Sequence, residues 1–130
     1  MPCTVLIVED NELNQKLFAD VLDARGYDTL RTAEGVAAFD LARAHRPDLI
    51  VMDIQLPTVS GLEVIRWLKD AADLAAIPIL AVTAFAMRGD AERIYEAGAE
   101  AYMPKPVILS AFMDQVEALI GGKARRPDPI

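Results

Sequence analysis

The sequence predicts an α/β domain built on a doubly wound, five-stranded parallel sheet. Short apolar runs alternate in strict order with longer stretches of helical periodicity, the pattern of successive βαβ units. The strongest runs, Val5-Leu6-Ile7-Val8, Leu49-Ile50-Val51-Met52 and Ile77 to Val82, do not alternate apolar with polar residues. Central strands covered on both faces need that continuity. Size and composition agree: 130 residues suit one domain, and 53% hydrophobic with 25% charged residues is enough to build a core.

The elements follow in order. Val5 to Val8 is the first strand. Leu13, Leu17, Phe18, Val21 and Leu22 then make one helical stripe, expected to face the core and closed by Gly26 at C′. Asp28 to Arg31 is a weak second strand at an edge. A second helix runs from Glu34 to His45, with Ala38, Phe39 and Ala42 on one face and Pro47 beyond its end. Leu49 to Met52 is the third strand. The third helix begins near Gly61 and presents Leu62, Ile65 and Leu68, with Trp67 a partly buried helix-face residue. Ile77 to Val82 is the fourth strand. The helix from Gly89 to Ala97 has the weakest apolar face and ends at Gly98. Ala101 to Met103 is the fifth strand, again at an edge. Leu109, Phe112, Met113, Val116, Leu119 and Ile120 form the clearest helical stripe, which Gly121-Gly122 is expected to stop. Residues 1–121 thus make the domain, and 122–130, basic and proline-containing, a disordered tail.

Charge excludes several functions. Thirteen basic against twenty acidic residues leave a net charge of −7, which disfavours DNA, RNA and anionic lipid as direct partners. The longest uncharged stretch, Leu74 to Met87, contains Pro78 and is shorter than the about 20 apolar residues a bilayer requires. No basic and apolar leader opens the sequence. The expected location is the cytoplasm. One cysteine, Cys3, and one histidine, His45, make neither a disulfide nor a zinc cluster. His45 reads as a cation at a helix C-terminus, and Met52, Met87, Met103 and Met113 as core or interface filler.

Ligands of an open α/β sheet bind outside the carboxyl ends of its strands. Glu9-Asp10 follows the first apolar run, Asp53 the third, Thr83 the fourth and Lys105-Pro106 the fifth. Three crowded carboxylates repel one another unless a cation joins them, and a hard, oxygen-seeking ion such as Mg²⁺ suits them. Lys105 and Thr83 offer an ammonium and a hydroxyl to phosphoryl oxygens. Any one of these residues could instead cap a helix, as Asp10 or Asn11 would do for the first. Five at one edge favour a site.

Glu9-Asp10, then Val51-Met52-Asp53-Ile54-Gln55-Leu56-Pro57 with Ser60-Gly61, then Val82-Thr83-Ala84 and Lys105-Pro106 resemble the receiver domain of two-component response regulators over residues 4–121. The wording around Asn11 to Asn14, Asp53 to Pro57 and Thr83 to Met87 is most similar to the single-domain DivK-type regulators of alphaproteobacterial cell division. The resemblance implies a flavodoxin-like sheet of strand order 2-1-3-4-5. It implies that Asp53 accepts a phosphoryl group from a sensor histidine kinase or phosphorelay protein. Glu9, Asp10, Asp53 and the Gln55 backbone carbonyl would hold Mg²⁺, or Mn²⁺ in its place. Thr83 and Lys105 would contact phosphoryl oxygens, and Tyr102 would change rotamer with them. Lys105-Pro106 would be a cis peptide, Gln55 and Phe85 would tune hydrolysis, and Pro104 departs from the small polar residues common there.

As a signalling module the protein is expected to act by protein–protein contact through the fourth helix, fifth strand and last helix, near Arg93, Tyr95 and Tyr102. Its expected state is a monomer or weak dimer, and it would catalyse only its own phosphoryl transfer and dephosphorylation. The rival reading is a Mg²⁺-dependent phosphatase with an aspartyl-phosphate intermediate, but Asp53-Ile54-Gln55 lacks the second acid of the Asp-x-Asp pattern. A flavin phosphate would meet repulsion from Glu9-Asp10-Asn11-Glu12. A receiver that had lost phosphorylation would lack the acceptor, the lysine or the threonine.

Overall fold

A computed structural model of the chain describes residues 3–84 and 90–124. The described residues form β1 (Thr4–Val8), α1 (Glu12–Ala24), β2 (Asp28–Thr32), α2 (Gly35–His45), β3 (Leu49–Asp53), α3 (Gly61–Asp70), β4 (Ile79–Thr83), α4 (Asp90–Ala97), β5 (Ala101–Pro104) and α5 (Leu109–Ala124). All strands are parallel, in the order β2-β1-β3-β4-β5.

Alternation along each central strand splits the core between two faces. Leu6, Val8, Ile50, Met52, Ile79 and Ala81 pack under α2, α3 and α4, together with Ala38, Ile65 and Ile94. Val5, Ile7, Leu49, Val51, Leu80 and Val82 pack under α1 and α5, where Phe18 and Phe112 stack with ring centroids 4.7 Å apart. Burial on both sides explains the unbroken apolar runs.

Several expectations are corrected. Strand β4 starts at Ile79, because Pro78 has no N–H to give the ladder. The core face of α1 is Phe18, Ala19 and Leu22, whereas Leu13 is 66% and Leu17 41% exposed. Leu109 is 37% exposed as well. Gly121-Gly122 does not end α5, which continues to Ala124. Glycine costs a helix only about 1 kcal/mol against alanine and does not forbid it. The tail expected from residue 122 therefore begins with helix, and residues 125–130 lie outside the described residues. Gly26 does close α1, Trp67 meets Phe39 edge to face at 6.2 Å, and Met52, Met103 and Met113 are core residues. Met87 and Phe85 lie outside the described residues.

Candidate functional site

Each chemistry-bearing residue sits where a strand gives way to a loop. Glu9 follows β1, Asp53 closes β3, Thr83 closes β4 and Lys105 follows β5. Glu9, Asp53 and Thr83 are buried; Asp10 is exposed. One carboxylate oxygen from each of Glu9, Asp10 and Asp53 lies within 4.8 Å of the others. Lys105 Nζ is 3.2 Å from Glu9 Oε2 and 3.3 Å from Asp53 Oδ2. The Lys105-Pro106 peptide is cis.

Local sequence holds this arrangement. Asn11, not Asp10, caps α1: its side chain accepts the Asn14 N–H at 2.9 Å, so Asp10 is left to the acidic cluster. The Asn11 N–H donates to Glu9 Oε2 at 3.2 Å. Gln15, which sequence reasoning missed, donates Nε2–H to the carbonyls of Glu9 at 3.0 Å and Thr32 at 3.2 Å, tying the end of β1 to that of β2. The Gln55 N–H donates to Asp53 Oδ1 at 3.0 Å and fixes that carboxylate. Gly61 donates to the Ile54 carbonyl at 3.0 Å, and a Cβ there would collide with the Asp53 carbonyl oxygen. Only glycine lets α3 start this close to Asp53. The Lys105 N–H donates to the Thr83 carbonyl at 2.8 Å, which binds the lysine's backbone to the end of β4.

The charges do not balance. One ammonium faces two buried carboxylates, and Glu9 Oε1 and Asp53 Oδ2 have no hydrogen-bond partner among the described residues. Leaving a buried acceptor unsatisfied costs about 1–3 kcal/mol. Burial, reinforced by the charge of Glu9, pushes the Asp53 carboxyl up to about 7, with Lys105 pulling the other way. Burial works to lower the Lys105 pKa, but the charges of Asp53 and Glu9 prevail and hold its ammonium above the ordinary lysine value. An all-oxygen donor set with excess negative charge, Glu9 Oε1 without a hydrogen bond and Asp53 Oδ2 held only by its ion pair to Lys105, fits a hard divalent ion such as Mg²⁺ or Mn²⁺.

Beside the acids, Gln55 Nε2–H donates to Thr83 Oγ1 at 2.9 Å, and the Ala84 N–H donates to Gln55 Oε1 at 2.8 Å. Tyr102, half-buried on β5, pairs in register with Ala81 and meets Tyr95 edge to face at 5.9 Å. An open groove of about 520 Å³ borders Lys105 and Pro106, walled by Leu17, Phe18, Val107 and Leu109.

A doubly wound sheet of this strand order, bearing three carboxylates, a lysine and a threonine at its strand ends, has the construction of a receiver domain. Residues 5–117 match the response regulator receiver domain family, and the chain belongs to it. It is 60% identical over 121 residues to the polar-differentiation response regulator DivK of Brucella anthropi, covering 93% of this chain and 98% of that protein. Among solved structures it resembles the receiver domain of a sensor histidine kinase from Pseudomonas aeruginosa PAO1, with a magnesium ion coordinated in the active-site cleft. That likeness has a TM-score of 0.86 and 32% identity, over 93% of this chain and 99% of the other. The Mn²⁺-bound form of a further response regulator matches with TM-score 0.80 and 25% identity, over 98% of both chains.

Proposed function

We propose that this protein is a single-domain response regulator that accepts a phosphoryl group on Asp53 in a Mg²⁺-dependent reaction and signals by phosphorylation-dependent protein contact. The observation that carries this reading is the meeting of Glu9, Asp10 and Asp53 with Lys105, two buried carboxylate oxygens there being without hydrogen bonds.

An Asp53 carboxylate oxygen attacks the phosphorus of a phosphohistidine in line. The phosphorus–nitrogen bond breaks, its electron pair stays on the imidazole, and the ring nitrogen later takes a proton. Lys105 Nζ neutralises charge on the transferred oxygens from a position already fixed against Asp53. Glu9, Asp10, Asp53 and the Gln55 carbonyl would hold the ion, which supplies further charge neutralisation when bound. Thr83 then draws toward the phosphoryl group and Tyr102 follows, altering the α4, β5 and α5 surface near Arg93 and Tyr95.

Histidine kinases, their phosphatase activities or phosphorelay proteins are the proposed partners on the input side. The apolar groove beside Lys105 suits a protein donor better than a small one. Similarity to polar-differentiation regulators supports a role in cell-cycle or cell-division control. The net charge of −7 supports protein targets over DNA, and no helix among the described residues is long and apolar enough to cross a membrane. We place the protein in the cytoplasm, where such kinases present their phosphohistidine. The phosphatase alternative loses ground because Gln55, at the place of its second acid, has its amide engaged with Thr83 and Ala84.

The test is incubation with a small phosphodonor and Mg²⁺ followed by intact mass. The wild type should gain one phosphoryl group and Asp53→Asn none, with the fold retained. Undiminished uptake by Asp53→Asn would move the acceptor elsewhere.

A further inference from the structure

The side chain of Gln55 is used differently from its backbone. It reaches from the loop after β3 to the end of β4, with Nε2 on Thr83 Oγ1 and Oε1 on the Ala84 N–H. The orientation of the amide is fixed by chemistry. A backbone N–H can only donate, so the oxygen must face Ala84 and the nitrogen is left for Thr83. The location matters too. Asp53 pairs in register with Val82, so Thr83 and Ala84 are the next two residues beyond the acceptor's neighbour on β4.

Phosphoryl oxygens only accept hydrogen bonds. An oxygen placed between Asp53 and the end of β4 would compete with Gln55 Oε1 for the Ala84 N–H, while the Thr83 O–H could still donate to it, because Gln55 only donates to Thr83 Oγ1. Gln55 Oε1 is a neutral acceptor in that place; a phosphoryl oxygen is a charged one, and charge-assisted bonds are roughly twice as strong.

We infer that the Gln55 side chain is a placeholder for the phosphoryl group at the Ala84 N–H, its Oε1 holding that donor until a phosphoryl oxygen displaces it, while its Nε2–H steadies Thr83 Oγ1. Gln55 is then a positioning residue, setting how much of the phosphoryl group's binding strength goes into releasing its own amide and how much into moving Thr83. This inference rests on phosphoryl acceptance at Asp53.

The test uses Gln55→Met, which keeps the length of the side chain and its backbone carbonyl but makes neither bond. In the metal-free protein, the Ala84 amide proton of the variant should move upfield of its wild-type position as it loses its acceptor. With Mg²⁺ present, the variant should bind beryllofluoride, a phosphoryl mimic, about fivefold more tightly than wild type, the scale of one neutral hydrogen bond no longer broken. Gln55→Ala should shift both readouts in the same direction, which guards against an effect peculiar to methionine. An unmoved Ala84 amide, or equal or weaker beryllofluoride binding by both variants, would overturn the placeholder while leaving Asp53 as acceptor. Failure of the wild type itself to bind beryllofluoride would overturn the acceptor reading and this one together.

Discussion

At the amino-terminal edge of the sheet, Lys69 spends all three of its ammonium hydrogens. It donates to the carbonyls of Ala75 and Ile77, each at 2.9 Å, and to Glu100 Oε2 at 2.8 Å, while Glu100 Oε1 takes the Ile79 N–H at 2.8 Å. At the carboxyl edge, Lys105 faces two buried carboxylates at 3.2 and 3.3 Å, and one oxygen of each carboxylate is left without a hydrogen bond. Both edges bring a lysine and acidic side chains together. The first cluster is complete and ties the end of α3 to the starts of β4 and β5. The second is short of positive charge, and so fits a divalent ion. Completeness fixes one edge as a base, and deficiency makes the other a site.

The largest effect that separates the two edges is on metal affinity as pH changes. Divalent binding needs Asp53 ionised, and below its pKa of about 7 the ion must displace a proton. Mg²⁺ affinity is therefore expected to rise about tenfold per pH unit up to that value and then to level off. Calorimetric titrations at several pH values check this, and a flat profile would remove Asp53 from the ligand set. The same shift has a stability consequence. The Asp53 pKa is raised in the folded state, so its contribution is present below the ordinary carboxylate range and is lost as pH rises toward 7. Metal-free protein should accordingly unfold more easily at pH 7.5 than at pH 5.5, and saturating Mg²⁺ should restore stability at the higher pH.

A paired substitution breaks the comparison directly. Lys69→Met leaves two carbonyls and a half-exposed carboxylate without their donor, and should cost about 2 kcal/mol whether or not Mg²⁺ is present. Lys105→Met should also destabilise the metal-free protein at pH 7.5, but saturating Mg²⁺ should recover much of that loss, because the ion can neutralise Glu9 and Asp53. Denaturant unfolding with and without Mg²⁺ gives both numbers. Equal recovery in the two variants would end the distinction between the edges.

The site is legible in the sequence because its residues follow apolar runs whose strand identity is plain, and this alone puts Glu9, Asp10, Asp53, Thr83 and Lys105 on one edge. The base was not legible. Lys69 and Glu100 are 31 residues apart, and no local pattern marks two helix-end and turn residues as partners. Nor could periodicity settle which face of α1 is buried. Leu17 and Phe18 are adjacent, and the helix turns Phe18, with Leu22, inward to meet Phe112 while Leu13 and Leu17 stay outside. Gln15 and the Gln55 amide escaped notice for a related reason. A glutamine's sequence position says nothing of which carbonyl or hydroxyl it will reach, and both bonds depend on how neighbouring strand ends align.

The smallest effect expected tests how the receptive edge reports its state. Thr83 is buried, and Tyr102 lies on the neighbouring strand in register with Ala81, two residues before Thr83 and so on the same sheet face. The ring of Tyr102 now rests edge to face on Tyr95, a contact worth about 0.5–1.5 kcal/mol. To leave it, Tyr102 must gain space or partners at Thr83, and on the proposed function a phosphoryl group would supply the incentive by drawing the Thr83 hydroxyl toward Asp53. Thr83→Ala removes that hydroxyl while leaving Glu9, Asp10, Asp53 and Lys105 intact, so the variant should still accept phosphoryl on Asp53. Its coupling should fall by about 1 kcal/mol, roughly fivefold in the equilibrium between the two Tyr102 positions. The Tyr102 ring resonances, sensitive to the nearby Tyr95 ring, read that equilibrium before and after beryllofluoride binding. A wild-type-sized change in Thr83→Ala would mean that the threonine hydroxyl does not transmit the signal.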